Sequence, residues 1–146
     1  MLHARHPDRG KVVKSFRLRL QDATRSEEIT GVTSFVGEDA SGSFGILAGH
    51  GRMLTALLIG LARFRVGENA WRYLAVPGAV LYFQDNVLTL STRRYLLDDD
   101  YMRISQALQQ QLLAEEEQLQ TMKTSLHRME EAMFKRLWEM GRTDAG

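Results

Sequence analysis

The 146-residue chain contains no cysteine, so disulfide frameworks and thiolate metal sites are excluded. This absence suits a reducing compartment. The longest apolar run, residues 53–62, is about ten residues, whereas a membrane-spanning helix needs ~20. Neither sign of charge dominates, because 19 basic residues stand against 18 acidic ones. The chain therefore has no long-range field that would favour nucleic acid or an anionic membrane as a partner.

Glycine and proline are missing from most of the second half. Ten of the twelve glycines and both prolines precede Ala79, and none occurs from Ala79 to Met140. Because these residues interrupt regular structure, their absence after Ala79 indicates that the second half has a different architecture from the first. We predict three segments: a disordered tail over residues 1–14, a β-sandwich over residues 15–94, and a helical domain over residues 98–141.

The first half consists of short apolar or alternating runs separated by turn residues. Strands spaced about ten residues apart with turn chemistry between them are typical of an antiparallel sandwich. Residues 53–58 are almost wholly apolar, which predicts a strand in the sandwich core. The predicted strands are residues 16–20, 29–36, 53–58, 61–66, 71–76, 79–83 and 87–90, with a hairpin turn at residues 84–86.

The second half has the pattern of a helix. Asp98, Asp99 and Asp100 provide an N-cap and favourable charge for the helix dipole, and Gly141 is the predicted stop. Ten apolar residues recur at intervals of three, four or seven: Ile104, Leu108, Leu112, Leu119, Met122, Leu126, Met129, Met133, Leu137 and Met140. The predicted fold class is thus β + α, an N-terminal antiparallel β-sandwich followed by an α-helical hairpin or a single long helix. Any fold-back is expected at residues 121–125, where helix propensity is weakest.

The apolar stripe of this helix requires a partner, because an exposed apolar band of this size is unusual in a monomer. Three partners remain open: the sandwich of the same chain, a second copy in a coiled-coil dimer, or another protein.

No set of residues supports catalysis. The chain has no phosphate-binding loop of the Gly-x-x-x-x-Gly-Lys-(Ser/Thr) type and no serine nucleophile motif. The three consecutive aspartates lack the other ligands of a calcium loop. We therefore predict no catalytic residue, no cofactor and no metal site.

Residues 42–55 read Gly-Ser-Phe-Gly-Ile-Leu-Ala-Gly-His-Gly-Arg-Met-Leu-Thr. On residues alone this is a tightly turned, glycine-rich connection between strands. Its order resembles the Gly-x-x-Gly-(Ile/Val)-x-Pro-Gly-His-x-x-(Leu/Met)-Leu-Thr segment of the epsilon subunit of F-type ATP synthases. Residues 76–90 resemble a hairpin of the same family, and a helical C-terminus follows in the right order. Ala48 and Arg52 replace prolines and Ser43 a glutamate, so the likeness is to a divergent branch, such as the alternate sodium-translocating ATPases.

The resemblance implies a non-catalytic rotor subunit that joins the gamma stalk to the c ring, peripheral to the cytoplasmic face of a bacterial plasma membrane. It implies a β-sandwich followed by two helices that can inhibit ATP hydrolysis. Partner contacts are expected at Glu38, Asp39, Ser43, His50 and Arg52. Contacts to the catalytic subunits are expected at Lys123, Arg128, Lys135 and Arg136.

Some family members bind ATP through (Ile/Leu)-Asp-x-x-Arg-Ala at the start of the first helix. Here Asp100 and Arg103 retain the Asp-x-x-Arg part, which makes them weak candidates for nucleotide contacts. The alternative to a rotor subunit is an adaptor that dimerises through its helix and uses the sandwich as a ligand-binding module.

Overall fold

A computed structural model describes residues 14–145, with side chains as far as Gly141. The predicted tail, residues 1–14, lies outside the described residues except for Lys14. The strands are β1 (Phe16–Gln21), β2 (Ser26–Asp39), β3 (Gly42–Ile46), β4 (Met53–Leu57), β5 (Gly60–Val66), β6 (Arg72–Val76), β7 (Ala79–Gln84), β8 (Val87–Thr92) and β9 (Leu96–Asp98). Helix α1 (Tyr101–Ala107) is followed by a π-helical segment (Leu108–Leu113) and by helix α2 (Ala114–Ala145).

The strands form one hydrogen-bonded sheet in the order β4-β7-β8-β1-β2-β5-β6-β9, and β3 pairs with β2 beside this path. Every pairing is antiparallel except that of β1 with β8, which is parallel. Strand β2 pairs with β1 through its first half and with β3 and β5 through its second half. The positive φ of Gly31, +74°, coincides with a shift in the β1–β2 register. Such a bulge bends the long strand, so that it can contribute to both layers of a sandwich.

The core is built from the alternate residues of each strand that point inward. Phe16, Leu18 and Leu20 of β1 are buried, whereas Arg17 and Arg19 between them are not. Phe16 meets Phe83 of β7 edge to face, with ring centroids 5.5 Å apart. Burial of such side chains contributes ~1.5–3 kcal/mol each, which makes this apolar layer the main source of stability.

The seven predicted strands are confirmed, with ends shifted by a few residues. Sequence reasoning missed β3, whose two glycines resemble a loop, and β9, which is only three residues long. It also misjudged β4 as wholly buried. Leu57 is buried, but Leu54, Ala56 and the following Leu58 are exposed, because successive side chains of a strand point to opposite faces and these three share the outward face.

The predicted C-terminal helix is present as one long helix, α2, with no fold-back at residues 121–125. The predicted stop at Gly141 is wrong, since the helix continues to Ala145. Gly141 is not among the glycines with positive φ, the conformation that a glycine C-cap adopts. In the described part of the chain, no helix is both long and apolar enough to cross a membrane.

The chain divides into two compact units, with the boundary between Leu112 and Leu113. The first unit extends beyond the predicted sandwich because α1 and the π-helical segment pack on its outer face. Ile104 and Leu112 are fully buried against Ala75 of β6, and Leu108 is partly buried beside them. The first three residues of the predicted apolar stripe therefore use the sandwich of the same chain as their partner.

Candidate functional site

A short loop, residues 47–52, joins β3 to β4 and carries two of the predicted contact residues, His50 and Arg52. The loop bends at Gly49, whose φ of +81° favours glycine. The amide of Gly49 donates to Asn86 Oδ1 at 2.7 Å, and the amide of His50 donates to Leu47 O at 3.1 Å. These bonds give the glycine-rich loop a defined shape.

Asn86 lies in the two-residue turn between β7 and β8. Asp85 and Asn86 both have positive φ, 52° and 57°, as a tight hairpin turn of this kind requires. The carbonyl of Asn86 also accepts from the amide of Arg17 at 3.0 Å. One residue therefore joins the turn to β1 and to the loop of residues 47–52.

His50 and Arg52 are both exposed beside this turn. His50 Nδ1 lies 2.8 Å from Gly51 O, and its ring meets Phe83 edge to face at 5.8 Å. The loop and the turn together line an open recess of about 370 Å³. The arrangement presents an imidazole and a guanidinium to a partner. Among residues 14–145, no carboxylate forms a hydrogen bond or ion pair with His50, as the orienting group of a catalytic histidine would.

The other predicted contacts, Glu38, Asp39 and Ser43, lie on the β2–β3 hairpin. Asp39 Oδ1 accepts from the Ser41 hydroxyl at 2.5 Å and from the Ser41 amide at 2.9 Å, and Oδ2 accepts from Thr55 Oγ1 at 2.7 Å. These hydrogen bonds, that of the Ser41 hydroxyl first, lower the pKa of Asp39 below its usual range. Asp39 thus shapes the hairpin and ties it to β4, whereas the side chains of Glu38 and Ser43 are exposed.

The five predicted contact residues therefore form two groups on different loops. Glu38 and Ser43 line a second recess of about 360 Å³, together with Arg63, Tyr73 and Tyr101. Tyr73 and Tyr101 meet edge to face in its wall, with centroids 5.5 Å apart. His50 and Arg52 line the first recess and not the second.

The weak nucleotide candidates, Asp100 and Arg103, form hydrogen bonds that cap the N-terminus of α1. Asp100 is its N-cap and accepts from the Arg103 amide at 3.0 Å. The guanidinium of Arg103 donates twice to Asp98, from Nε and Nη2 at 2.6 Å each. This pairing holds the pKa of Asp98 well below its usual range, helped by the Asp100 amide. Asp98 thus already occupies two of the three guanidinium nitrogens of Arg103, and a nucleotide phosphate would compete with it for this cation.

The predicted regulatory residues, Lys123, Arg128, Lys135 and Arg136, all lie on α2 and are exposed. Large apolar side chains alternate with them along the helix: Met122, Leu126, Met129 and Met133 are each more than half exposed. This helix therefore presents both cations and an apolar stripe.

Sequence reasoning missed an apolar surface on the outer face of β4 and β7. Leu54 is 69% exposed and faces Tyr82 across the strand pair, and Val80 is 52% exposed opposite Ala56. The signal was present in the sequence, because both faces of residues 53–57 are largely apolar. A strand that is apolar on two faces at a sheet edge is typical of an interaction surface.

Comparison with known proteins gives consistent matches. The family model "ATP synthase, Delta/Epsilon chain, beta-sandwich domain" matches residues 16–97. The chain is 36% identical over 85 residues to ATP synthase epsilon chain 2 of Cereibacter sphaeroides, covering 58% of each protein. It is 37% identical over 86 residues to ATP synthase epsilon chain 2 of Paraburkholderia xenovorans, covering 56% of this chain and 62% of the relative. The chain thus matches about three fifths of the length of these relatives.

The fold is also found in solved structures. A chain in the cryo-EM structure of Euglena gracilis mitochondrial ATP synthase, with OSCP, F1 and c-ring, is 17% identical and aligns with a TM-score of 0.53. The alignment covers 67% of this chain and 63% of that one.

Proposed function

Because this chain belongs to the ATP synthase delta/epsilon family, we propose that it is an epsilon subunit, a non-catalytic component of the central-stalk rotor. The observation that carries the proposal is the extent of the family match. It covers residues 16–97, and the nine strands of the sheet begin at Phe16 and end at Asp98. The whole sandwich, including its apolar edge face and its polar loops, is thus the part that relates the chain to epsilon subunits.

The sandwich would contact the gamma subunit through the outer face of β4 and β7. Leu54, Val80 and Tyr82 supply the apolar area that a stable protein interface needs at its centre. Their exposure is unfavourable, because it leaves large apolar side chains in contact with water. Burying this face on gamma would remove the apolar surface from water.

The c ring would be met by the polar loops. Glu38 and Ser43 on the β2–β3 hairpin and His50 and Arg52 on the next loop are exposed and carry charge or hydrogen-bonding groups. Asp39 would act indirectly, since its carboxylate already bonds Ser41 and Thr55. The chain would then lie at the cytoplasmic face of a bacterial plasma membrane, attached only through the complex.

Helix α2 would regulate ATP hydrolysis. Lys123, Arg128, Lys135 and Arg136 offer cations to acidic loops of the catalytic subunits, and such contacts would be sensitive to salt. Nucleotide binding at Asp100 and Arg103 would be weak, because Asp98 holds the guanidinium in a two-point pair.

The proposal is tested by isolating the ATP synthase from cells in which this chain carries a tag. We expect the gamma and c subunits to be retained with the tagged chain through purification in detergent. A chain that purifies without any ATP synthase subunit would contradict the proposal.

The loop assignment has a separate test. Glu38→Lys reverses an exposed charge on the β2–β3 hairpin, and Glu68→Lys makes the same change in the exposed β5–β6 turn as a control. In reconstituted vesicles we expect Glu38→Lys to lower the number of ions pumped per ATP hydrolysed, while Glu68→Lys does not. Equal coupling in both variants would place the contact elsewhere and leave the subunit assignment intact.

A further inference from the structure

Helix α2 carries a regular apolar seam formed by Leu119, Met122, Leu126, Met129 and Met133. The intervals between them are three, four, three and four residues, which is the a/d spacing of a heptad repeat. Four of the five side chains are exposed by more than half: Met122 by 58%, Leu126 by 57%, Met129 by 62% and Met133 by 63%. In this frame Leu119, Leu126 and Met133 take the a positions, and Met122 and Met129 the d positions.

The residues that flank the seam indicate what covers it. Lys123 and Glu130 occupy e positions, and Ser125 and Ala132 occupy g positions. Within residues 14–141, neither Lys123 nor Glu130 is engaged in a salt bridge. In a parallel pair of helices g faces e, so Ser125 would lie opposite Glu130 and no ion pair would form. In an antiparallel pair e faces e, so Lys123 lies opposite Glu130 of the second copy, and the symmetry repeats this pair.

We propose that the α2 seam is a self-association surface, on which two copies of the free chain form an antiparallel two-stranded coiled coil. Its core layers pair Met122 with Met133 and Leu126 with Met129 of the second copy, each layer occurring twice. This arrangement places an a residue opposite a d residue throughout, and it brings both Lys123–Glu130 pairs to the edges of the core. The charge pattern thus matches a second copy in one orientation only.

The short length of the seam limits the stability of the dimer. After Met133 the frame requires an apolar residue at position 136, but Arg136 is there and the next apolar residue is Leu137. The repeat therefore covers residues 119–133, about 22 Å of helix at ~1.5 Å per residue. Four of its layers contain flexible methionines, which pack adaptably but specify geometry weakly. We expect a dimer that dissociates on dilution, which leaves the chain available as a single copy to other partners.

Self-association is measured by sedimentation equilibrium of the full chain from about 1 to about 200 µM, a range in which mass action should populate both species. We expect a monomer–dimer equilibrium. Leu126→Lys puts a charge into the central layer and should leave only monomer at every concentration. Gln120→Lys adds the same charge at an outer b position and should retain the dimer. A wild-type chain that stays monomeric throughout, or a dimer unaffected by Leu126→Lys, would overturn the proposal.

Orientation is tested by exchanging the flanking charges. Lys123→Glu or Glu130→Lys alone replaces two attractive pairs with repulsive ones and should weaken the dimer about tenfold or more. The double variant restores opposite charges and should regain most of the affinity. Single variants without effect would exclude the antiparallel frame.

The absence of native cysteine allows a direct check of the same orientation. Leu126→Cys mixed with Met129→Cys should give a disulfide between the two variants under mild oxidation, whereas each alone should cross-link poorly. Efficient cross-linking of Leu126→Cys with itself would indicate a parallel pair and contradict the proposal. These measurements use the free chain, so their outcome is independent of whether it is a rotor subunit.

Discussion

At the scale of single residues, Asn86 connects the parts of the candidate contact surface that lie far apart in the sequence. Its side chain holds the amide of Gly49, its carbonyl holds the amide of Arg17, and its own positive φ closes the β7–β8 turn. Asn86 sits in a segment that sequence reasoning identified only as a turn. A side chain that satisfies a backbone amide 37 residues away cannot be found from local pattern, because the pair is created by the fold.

Replacement of Asn86 by glycine separates the role of its side chain, which binds the Gly49 amide, from the role of its backbone in the turn. Asn86→Gly keeps the positive φ available and removes only the bond to Gly49, which is worth ~1 kcal/mol. We expect amide hydrogen exchange at Gly49 to accelerate about fivefold, while the global unfolding transition moves little. Asp85→Gly in the same turn is the control, and its Gly49 amide should exchange at the wild-type rate. Unchanged exchange at Gly49 in Asn86→Gly would show that the loop does not depend on this bond.

Asp98 gives the start of α1 a dependence on pH. Arg103 lowers the pKa of Asp98 in the folded chain, whereas the unfolded chain retains an ordinary value near ~4. The stabilisation is therefore fully present above pH ~4 and is lost as the pH falls through the folded pKa. Asp98→Asn cannot ionise, so we expect its stability to fall less steeply than that of the wild type below pH ~4. Urea unfolding at pH 7, 4 and 3 measures the difference, and equal slopes would contradict it.

At the scale of elements, the strands were predictable wherever one face is apolar and the other is not. Strands β1 and β5 alternate apolar and basic residues, and the structure buries their apolar positions. Strand β3 was missed because Gly42 and Gly45 carry no side chain to show an alternation. The outward face of β4 was missed because Leu54 and Ala56 are apolar although they meet solvent, and only the sheet order reveals that β4 is at an edge.

The candidate site was predictable to a smaller extent. The polar loops could be located from glycine, charge and family likeness, but not the separation of Glu38 and Ser43 from His50 and Arg52. Nor could the engagement of the Asp39 carboxylate with β4 be recognised, because its partner Thr55 is 16 residues away on another strand. Hydrogen bonds between segments distant in sequence determine which charged side chains stay free to contact a partner protein.

Helix α1 and the π-helical segment are expected to belong to the sandwich rather than to α2. Ile104 and Leu112 are buried on Ala75, and each contributes ~1.5–3 kcal/mol of apolar burial. A chain shortened after Leu113 should therefore unfold in one cooperative transition close to that of the intact sandwich. A chain shortened after Asp99 exposes this patch and should lose several kcal/mol, a large part of an ordinary domain stability of ~5–15 kcal/mol.

Thermal unfolding of the two shortened chains, followed by circular dichroism in the near ultraviolet, checks this division. Trp71 and the tyrosines of the sandwich are present in both, except that Tyr101 is lost from the shorter one. Equal stability of the two chains would mean that α1 contributes no packing energy. Failure of the longer one to fold would mean that α2 is part of the core.

At the scale of the whole molecule, the chain carries two surfaces of different kinds, one on each compact unit. The β4–β7 face and the polar loops belong to the first unit, and the apolar seam with its cations belongs to α2. The first set suits a permanent place in a rotor, since its shape is fixed by hydrogen bonds and strand pairing. The α2 seam suits reversible contacts, because its exposed methionines can be covered by one partner and released to another.

The most direct test of the central claim, membership of the ATP synthase rotor, is native mass spectrometry of the complex purified from cells that express this chain. We predict one copy of the chain per complex, retained in the subassembly that contains gamma and lost only when gamma is lost. A complex without the chain, or one in which the chain dissociates together with the catalytic subunits while gamma remains on the c ring, would contradict the assignment.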